Sequence, residues 1–317
     1  MPTRLPLLTL ILLAAARVPS IAAQTQPSGQ KAVLVTGASS GIGRKITELL
    51  ASRGYFVYAT ARKPEDLAAL NRIPNVKSIR LDVTIPAEIA AAVDTVRQEG
   101  RGLYGLVNNA GGAIVGPLIE HEESEMDWQF DVNVYGPWRL AKAFAPMLIE
   151  SKGRISNISS VSGILSGPLL GAYSMTKHAL EAFTDALGAE LARFGVKVTA
   201  VEPGNYRSEA GRAALSRLGD VEARAARSRY PEEIRALGRN MAGYDQYAEP
   251  IDVAEAVHHA LTDPAPKSRY LVTTSPRGME RVAQKSLEEL VQLNQAHKFT
   301  IPRDSLVILL DAALRKP

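Results

Sequence analysis

The stretch "KAVLVTGASSGIGRKITELLASRG", Lys31 to Gly54, decides most of what this chain can fold into. A short apolar strand runs into a Gly/Ser turn, an amphipathic helix follows, and "YFVYATAR" then reads as a second strand. Two strands joined through a helix lie parallel, and a parallel sheet is covered on both faces. The alternation continues. Further strands are expected at "VKSIRLDV", "LYGLVNNAG", "GRISNISS", "VKVTAVEPG" and "SRYLVTT", separated by helix-length segments. The pattern predicts one α/β domain with a doubly wound parallel sheet of about seven strands and helices on both faces. A chain of 317 residues, 46% hydrophobic and 22% charged, can bury one such core with decorations.

The decorations lie at three places. Residues 31–275 form the sheet domain. From Asn205 to Glu249 the pattern is polar, Arg-rich and helical, which reads as a lid inserted over the carboxyl edge of the sheet. Residues 276–317 form a helical extension in which "LEELVQLNQAH" and "LVILLDAAL" are amphipathic and suit a cover for a pocket or for a neighbouring subunit. Residues 1–30 stand outside the fold. Arg4, an apolar run from Leu5 to Ala16 and small residues at Ser20, Ala22 and Ala23 have the layout of an export signal, Met1 to Ala23, which implies an exported or periplasmic protein. Arg17 departs from that layout, and a cytoplasmic protein with an irregular leader is the alternative. The apolar run is too short for a stable transmembrane anchor, which needs roughly 20 residues.

Other chemistries are excluded early. The formal charge is +4, but the basic residues are scattered and aromatic residues make up 6%, so no nucleic-acid surface is expected. With no cysteine there is no thiol nucleophile and no cysteine-type zinc site. His258 and His259 have no ligand partner at metal spacing and read as structural, so no metal is expected.

The turn "TGASSGIG" places glycines at 37, 41 and 43 between a strand and a helix. Glycines there admit a pyrophosphate close to the backbone, and the helix offers it unpaired N–H groups and its positive end. A dinucleotide follows. An NAD enzyme would carry an acid at the end of the second strand to accept the ribose hydroxyl. Here Ala61 holds that place and Arg62 and Lys63 follow, which favours a 2′-phosphate and hence NADP(H) over NAD(H).

Four further stretches accompany that turn: "NNAG" at 108–111, "DVNVYG" with Asn133 in a helix, "NISSVSG" with Ser160, and "YSMTK" with Tyr173 and Lys177. Together they resemble the short-chain dehydrogenase/reductase family from about Lys31 to Val272, with five motifs in the family's order. The resemblance implies a Rossmann-type fold and assigns roles. Gly37, Ser39, Ser40, Gly41, Ile42 and Gly43 would line the pyrophosphate turn. Arg62 would meet the 2′-phosphate, Asp82 and Val83 the adenine, and Asn109, Ala110 and Gly111 the adenosine ribose. Pro203, Gly204 and Ser208, the last where a threonine is common, would stand beside the nicotinamide, with Tyr173 and Lys177 also touching the cofactor. Asn133, Ser160, Tyr173 and Lys177 would form the catalytic set, Ser160 polarising the substrate oxygen and Asn133 anchoring a water that leads to the lysine.

The Tyr173 and Lys177 pair also makes sense from physics alone. A free phenol has a pKa of about 10, too high for a base at neutral pH. Positions i and i+4 share a helix face about 6 Å apart along the axis. At an effective dielectric of about 20, a positive charge at that distance favours the phenolate by roughly 2.8 kcal/mol, on the order of two pKa units. Such a phenol can exchange a proton with an alcohol or carbonyl while hydride moves to or from a nicotinamide.

For substrate, Leu165, Leu169 and Leu170 in "ILSGPLLG" suit an apolar alcohol or ketone. The loops look most like those of members acting on hydroxysteroids, retinol-like alcohols or other hydrophobic carbonyls. The alternative function is a silent NADP(H)-binding sensor or interaction module, whose mark would be loss of the tyrosine or the lysine. A homodimer or a homotetramer is left open.

Overall fold

A computed structural model of the chain describes residues 29–296 and 298–315. The expected leader, Met1 to Ala23, lies outside the described residues.

Seven strands form one parallel sheet: β1 (Ala32–Val35), β2 (Phe56–Ala61), β3 (Val76–Arg80), β4 (Gly105–Asn108), β5 (Arg154–Ile158), β6 (Lys197–Pro203) and β7 (Arg269–Val272). Their order across the sheet is β3-β2-β1-β4-β5-β6-β7, so the chain reverses its winding between β1 and β4. In open sheets of this kind a crevice forms at the carboxyl ends of the two strands flanking the reversal. Each strand is shorter than its sequence pattern because its last residues turn out of the ladder at that edge. After β4, for example, the Asn109 and Ala110 N–H groups donate to Thr36 Oγ1 and not to a neighbouring strand.

Pleating divides the apolar side chains between two cores. Val33, Val35, Val57, Ala59 and Val107 face one side, where α1 (Gly41–Ser52) contributes Ile46 and Leu50, α2 (Pro64–Leu70) contributes Leu70, and the late helix α10 (Ile251–Thr262) adds Val253, Val257 and Leu261. Leu34, Tyr58, Leu106 and Ile155 face the other side. There they meet α3 (Pro86–Gln98), α5 (Gly136–Glu150) and α6 (Gly171–Leu191) through Ile89, Val96, Leu140, Phe144 and Leu191. Helix starts follow local chemistry. Pro86 opens α3 with Glu88 in its first turn, where proline has no N–H to lose and an acid meets the positive end of the helix.

Helix α4 (Glu123–Phe130) runs into α5 through one widened π turn, Asp131–Tyr135, and Asn133 lies in that turn and not in a regular helix. The 205–249 segment is helical: α7 (Glu209–Leu218), α8 (Val221–Arg227) and α9 (Pro231–Ala242) follow, with Ser208 and Asp220 capping the first two. These helices rest on the body through a small third core in which Ala214 and Leu218 meet Val115, with Leu170 packed beside them.

The C-terminal extension consists of α11 (Pro276–Asn294) and α12 (Arg303–Leu314). Val282 is the buried side chain of α11, and Leu287, Leu290, Val291, Ile308 and Leu310 stand exposed. Among the described residues no helix is long and apolar enough to cross a membrane.

Candidate active site

The glycine turn after β1 has the shape a phosphate cradle needs. Gly37 and Gly41 have φ of +63° and +53°, the left-handed region open to glycine. A Cβ on Gly43 would stand 2.3 Å from the Gly37 carbonyl oxygen, so α1 could not approach the turn with any larger residue there. Ser40 precedes α1 in an extended conformation without capping it through its side chain, and no acid occupies the first turn. The positive helix end is therefore open to an anion. Ser39 and Ile42 lie in the same turn, half-buried. Thr36 and Thr60, which the sequence reading passed over, brace it. Thr36 Oγ1 accepts from the Asn109 and Ala110 N–H groups at 2.9 Å, Asn109 Nδ2 donates to the Thr36 and Gly37 carbonyls, and the Gly37 N–H donates to Thr60 Oγ1. Ser208 lies against Gly41, where a Cβ would come 2.9 Å from the Ser208 Cα, so the lid begins directly over the turn.

At the far end of the crevice Arg62 follows β2, 67% exposed, with its Nη1 3.5 Å from Asp82 Oδ2. Burial would raise the Asp82 carboxyl, but hydrogen bonds from the Thr84 N–H and hydroxyl, with the Arg62 charge, hold it below its ordinary value. The Val83 side chain is committed to the second core, packed against Gly136, so only its backbone remains to meet a ligand. Helix α7 carries a second guanidinium to this region. Arg217 lies 4.1 Å from the centre of the Trp128 ring, and Trp128 in turn covers Gly112. Burial, and then the charge of Arg62, lower the Arg217 pKa.

The remaining predicted residues meet beyond β4, β5 and β6. Tyr173 occupies the first turn of α6, and Lys177 Nζ lies 5.5 Å from the centre of its ring. Lys177 is 6% exposed and donates to the Ile158 carbonyl at 2.8 Å. Burial pulls it from 10.5 to about 8, with the Glu181 carboxylate pulling the other way. Ser160 ends the run after β5, where its Oγ accepts from the Ser162 N–H at 3.1 Å and donates to the Pro203 carbonyl at 3.5 Å. Gly204 continues from Pro203 and donates its N–H to Val272. Asn133 is fully enclosed. Its Oδ1 accepts from the Gly112 N–H at 3.0 Å, and its Nδ2 donates to the Gly112 carbonyl at 2.9 Å and to Thr176 Oγ1 at 3.0 Å. Gly111 lies beside it, with room for a Cβ only 3.2 Å from Oδ1. Thr176 and Gln129 were not foreseen. Gln129 accepts from the Ile114 N–H and donates to the Gly112 carbonyl, so two buried amides fix one loop. No sequence signal marked either one: Gln129 stands among the acids of "ESEMDWQFD" and Thr176 among the polar residues of "YSMTKH". Among the described residues no group of three or more acids and histidines could hold a metal.

The reversal of a parallel sheet, a glycine turn opening a helix there, and a tyrosine with a buried lysine at the same edge define a dinucleotide-binding α/β oxidoreductase. Comparison with known proteins gives the family. Residues 31–218 match the short chain dehydrogenase family. The uncharacterized oxidoreductase YbbO of Escherichia coli is 36% identical over 246 residues, which is 77% of this chain and 86% of that protein. The mitochondrial D-beta-hydroxybutyrate dehydrogenase of Rattus norvegicus is 34% identical over 269 residues, 78% of each. Among solved structures, a short-chain dehydrogenase from Streptomyces avermitilis superposes with a TM-score of 0.71 at 32% identity, covering 84% of this chain and 96% of that one. The chain belongs to the short-chain dehydrogenase family and is an NAD(P)-dependent oxidoreductase.

Proposed function

We propose that the chain is an NADP(H)-dependent dehydrogenase or reductase interconverting an apolar secondary alcohol and its ketone, or a related carbonyl, in the manner of hydroxysteroid, retinol and carbonyl-reducing members of the family. The observation that carries this reading is the pairing of Tyr173 with a buried Lys177.

The cradle residues fit a dinucleotide on their own geometry: two left-handed glycines, a third with no room for a side chain, and an uncapped helix start without acids. Gly37 to Gly43 would hold the diphosphate, Asn109 to Gly111 the ribose, Asp82 the adenine, and Arg62 a 2′-phosphate. When bound, the nicotinamide supplies the hydride acceptor or donor. The chain's own groups move the proton. In the oxidative direction the Tyr173 phenolate takes the proton of the alcohol, and in the reductive direction the phenol returns it to the carbonyl oxygen. Lys177 favours the phenolate through its charge, and burial makes that charge count for more than it would in water. The Ser160 hydroxyl, weakly held by Pro203 in the free chain, is available to donate to the substrate oxygen. The Asn133 side chain is fully committed to Gly112 and Thr176. A water leading to Lys177 would therefore be held by its main-chain carbonyl. Leu165, Leu169 and Leu170, half-buried beside the lid, offer the substrate an apolar wall.

The test is purified protein with NADP(H) or NAD(H) and a panel of apolar ketones and alcohols. Turnover with NADPH and a steroid-like or retinoid-like carbonyl is expected. Binding of NADPH with no turnover across the panel would instead mark a cofactor-holding module.

A further inference from the structure

The helix face that carries Tyr173 and Lys177 continues with Glu181 and Asp185, each four residues further along α6. This line leads from the candidate active site to the outer edge of the sheet, where Arg269 on β7 gathers three acids. Its Nε lies 3.1 Å from Glu181 Oε2 and 3.4 Å from Glu202 Oε1, and its Nη2 lies 2.6 Å from Asp185 Oδ2. Glu181 is 7% exposed and Glu202, on β6, is 2% exposed.

An ion pair that merely fastened β7 to the sheet would need one acid. Here there are two buried ones, and each leaves an oxygen without a hydrogen bond: Oε1 of Glu181 and Oε1 of Glu202, with Ser159 Oγ unbonded nearby. A second buried acid costs stability that a structural link has no reason to incur. Burial first, and the neighbouring Glu181 next, push Glu202 up to about 7, against the pull of Arg269. Both carboxylates reach the same Arg269 Nε, at 3.1 and 3.4 Å, so the charge of one bears on the other. Glu181 is also seated deliberately close to the catalytic turn. A Cβ on Gly163 would stand 2.9 Å from Glu181 Cγ and 3.0 Å from Ser159 Oγ, so glycine is required in the turn capped by Ser160 for the carboxylate to pass beneath it.

We infer that Glu181 is a positioning residue that keeps Lys177 in its ammonium form, and that Glu202, by gaining or losing its own proton beside Glu181, sets how much negative charge the lysine experiences. This rests on the role proposed above for Lys177. Burial disfavours a charged lysine, and a neutral one would do little for a phenolate. The charged and titratable groups facing the carboxylate pair are Lys177 and Asp185 from α6 and Arg269 from β7, with the neutral Ser159 hydroxyl beside them. The lysine and the arginine are the two cations, and Lys177 alone lies toward the substrate.

The experiment is an NMR titration of the full chain labelled with 13Cε lysine, the Lys177 signal being assigned by its loss in Lys177→Met. Glu181→Gln should lower the Lys177 midpoint by on the order of one to two pH units, the effect of one charge about 6 Å away. Glu181→Asp, which keeps the charge, should bring it back toward the wild type. Glu202→Gln, which resembles the protonated acid and preserves packing, should lower the midpoint by less and remove any inflection near neutral pH. A Lys177 midpoint unmoved by Glu181→Gln, or moved equally by Glu181→Asp, overturns the inference. If Glu181→Gln does not fold, an unmoved midpoint in Glu202→Gln does the same. In alcohol oxidation the acidic limb of the rate profile should move to higher pH in Glu181→Gln, as the phenol loses the help of a charged lysine. The titration needs neither cofactor nor turnover. An inactive chain with a shifted lysine would reject the proposed function and leave the coupling standing, whereas an active one with an unmoved lysine would reject the coupling alone.

Discussion

Asn133 Nδ2 donates to Thr176 Oγ1 at 3.0 Å, tying the π turn before α5 to the turn of α6 that lies between Tyr173 and Lys177. The Thr176 hydroxyl in turn donates to the Tyr173 carbonyl at 2.7 Å. Thr176→Val keeps the shape and removes the acceptor, leaving one enclosed Asn133 N–H unpaired. A loss of about 1–3 kcal/mol in urea unfolding is expected, with a fall in kcat larger than any change in cofactor affinity. Unchanged stability would show that the amide finds another partner.

Tyr173→Phe keeps the ring and removes the transferable proton. Turnover should fall by about 10²–10⁴-fold, the usual worth of a positioned acid or base, while NADPH titrated by fluorescence binds as before. A variant within tenfold of the wild type would remove Tyr173 from the chemistry.

Cofactor choice should respond to two arginines from different parts of the chain. Arg62→Ala is expected to weaken NADPH by one to two orders of magnitude, about 1.4–2.8 kcal/mol, while sparing NADH. Arg217→Ala, which takes away the lid guanidinium whose pKa the Arg62 charge helps to lower, should produce a smaller loss in the same direction. Equal losses for both cofactors, measured by calorimetry, would place neither arginine at a 2′-phosphate.

The sheet and the glycine turn are legible in the sequence because each depends on residues adjacent in the chain: a run such as Ala32–Val35, a glycine at 37, apolar spacing along α1. Tyr173 and Lys177 are legible for the same reason, as one helix sets their separation. The widening at Asn133 is not. It accompanies bonds to the backbone of Gly112, twenty-one residues away, and nothing within "DVNVYG" announces them. Arg217 and the Glu181–Glu202–Arg269 cluster join elements far apart in the chain, so residue types alone mark them as ordinary charged positions. The exposed faces of α11 and α12 show the converse, since their apolar pattern was plain while the single chain leaves those faces uncovered.

Burying Lys177 should leave a mark on stability that follows pH. Its folded pKa is about 8 against an ordinary 10.5, so between those values the unfolded chain holds a proton that the folded chain lacks. Stability therefore rises with pH across that window. In Lys177→Met the rise should be absent. The advantage of the methionine variant at pH 7, reduced by the lost hydrogen bond to Ile158, should shrink as the buffer passes from pH 8 to pH 10, as read by thermal melts at each pH. Parallel curves for the two proteins would mean that the lysine is not buried in its charged form.

Glu202 gives the opposite sign. Its folded pKa is raised from 4.5 to about 7, chiefly by burial, so between those values the folded chain holds a proton that the unfolded chain has released. Stability falls as pH rises through this window, and above about 7 the full cost of an ionised buried carboxylate is present. Gln at this position resembles the protonated acid at every pH and carries no such cost. Glu202→Gln should therefore be more stable than the wild type at pH 8, by no more than about 3 kcal/mol at 1.36 kcal/mol per pKa unit, with loss of the 3.4 Å ion pair to Arg269 offsetting part of the gain. The difference should fade towards pH 4.5. Urea unfolding of both proteins at pH 5 and pH 8 checks this: the wild type should weaken between the two values more than the variant does. A variant less stable than the wild type at pH 8 would mean that Arg269 compensates the Glu202 charge fully.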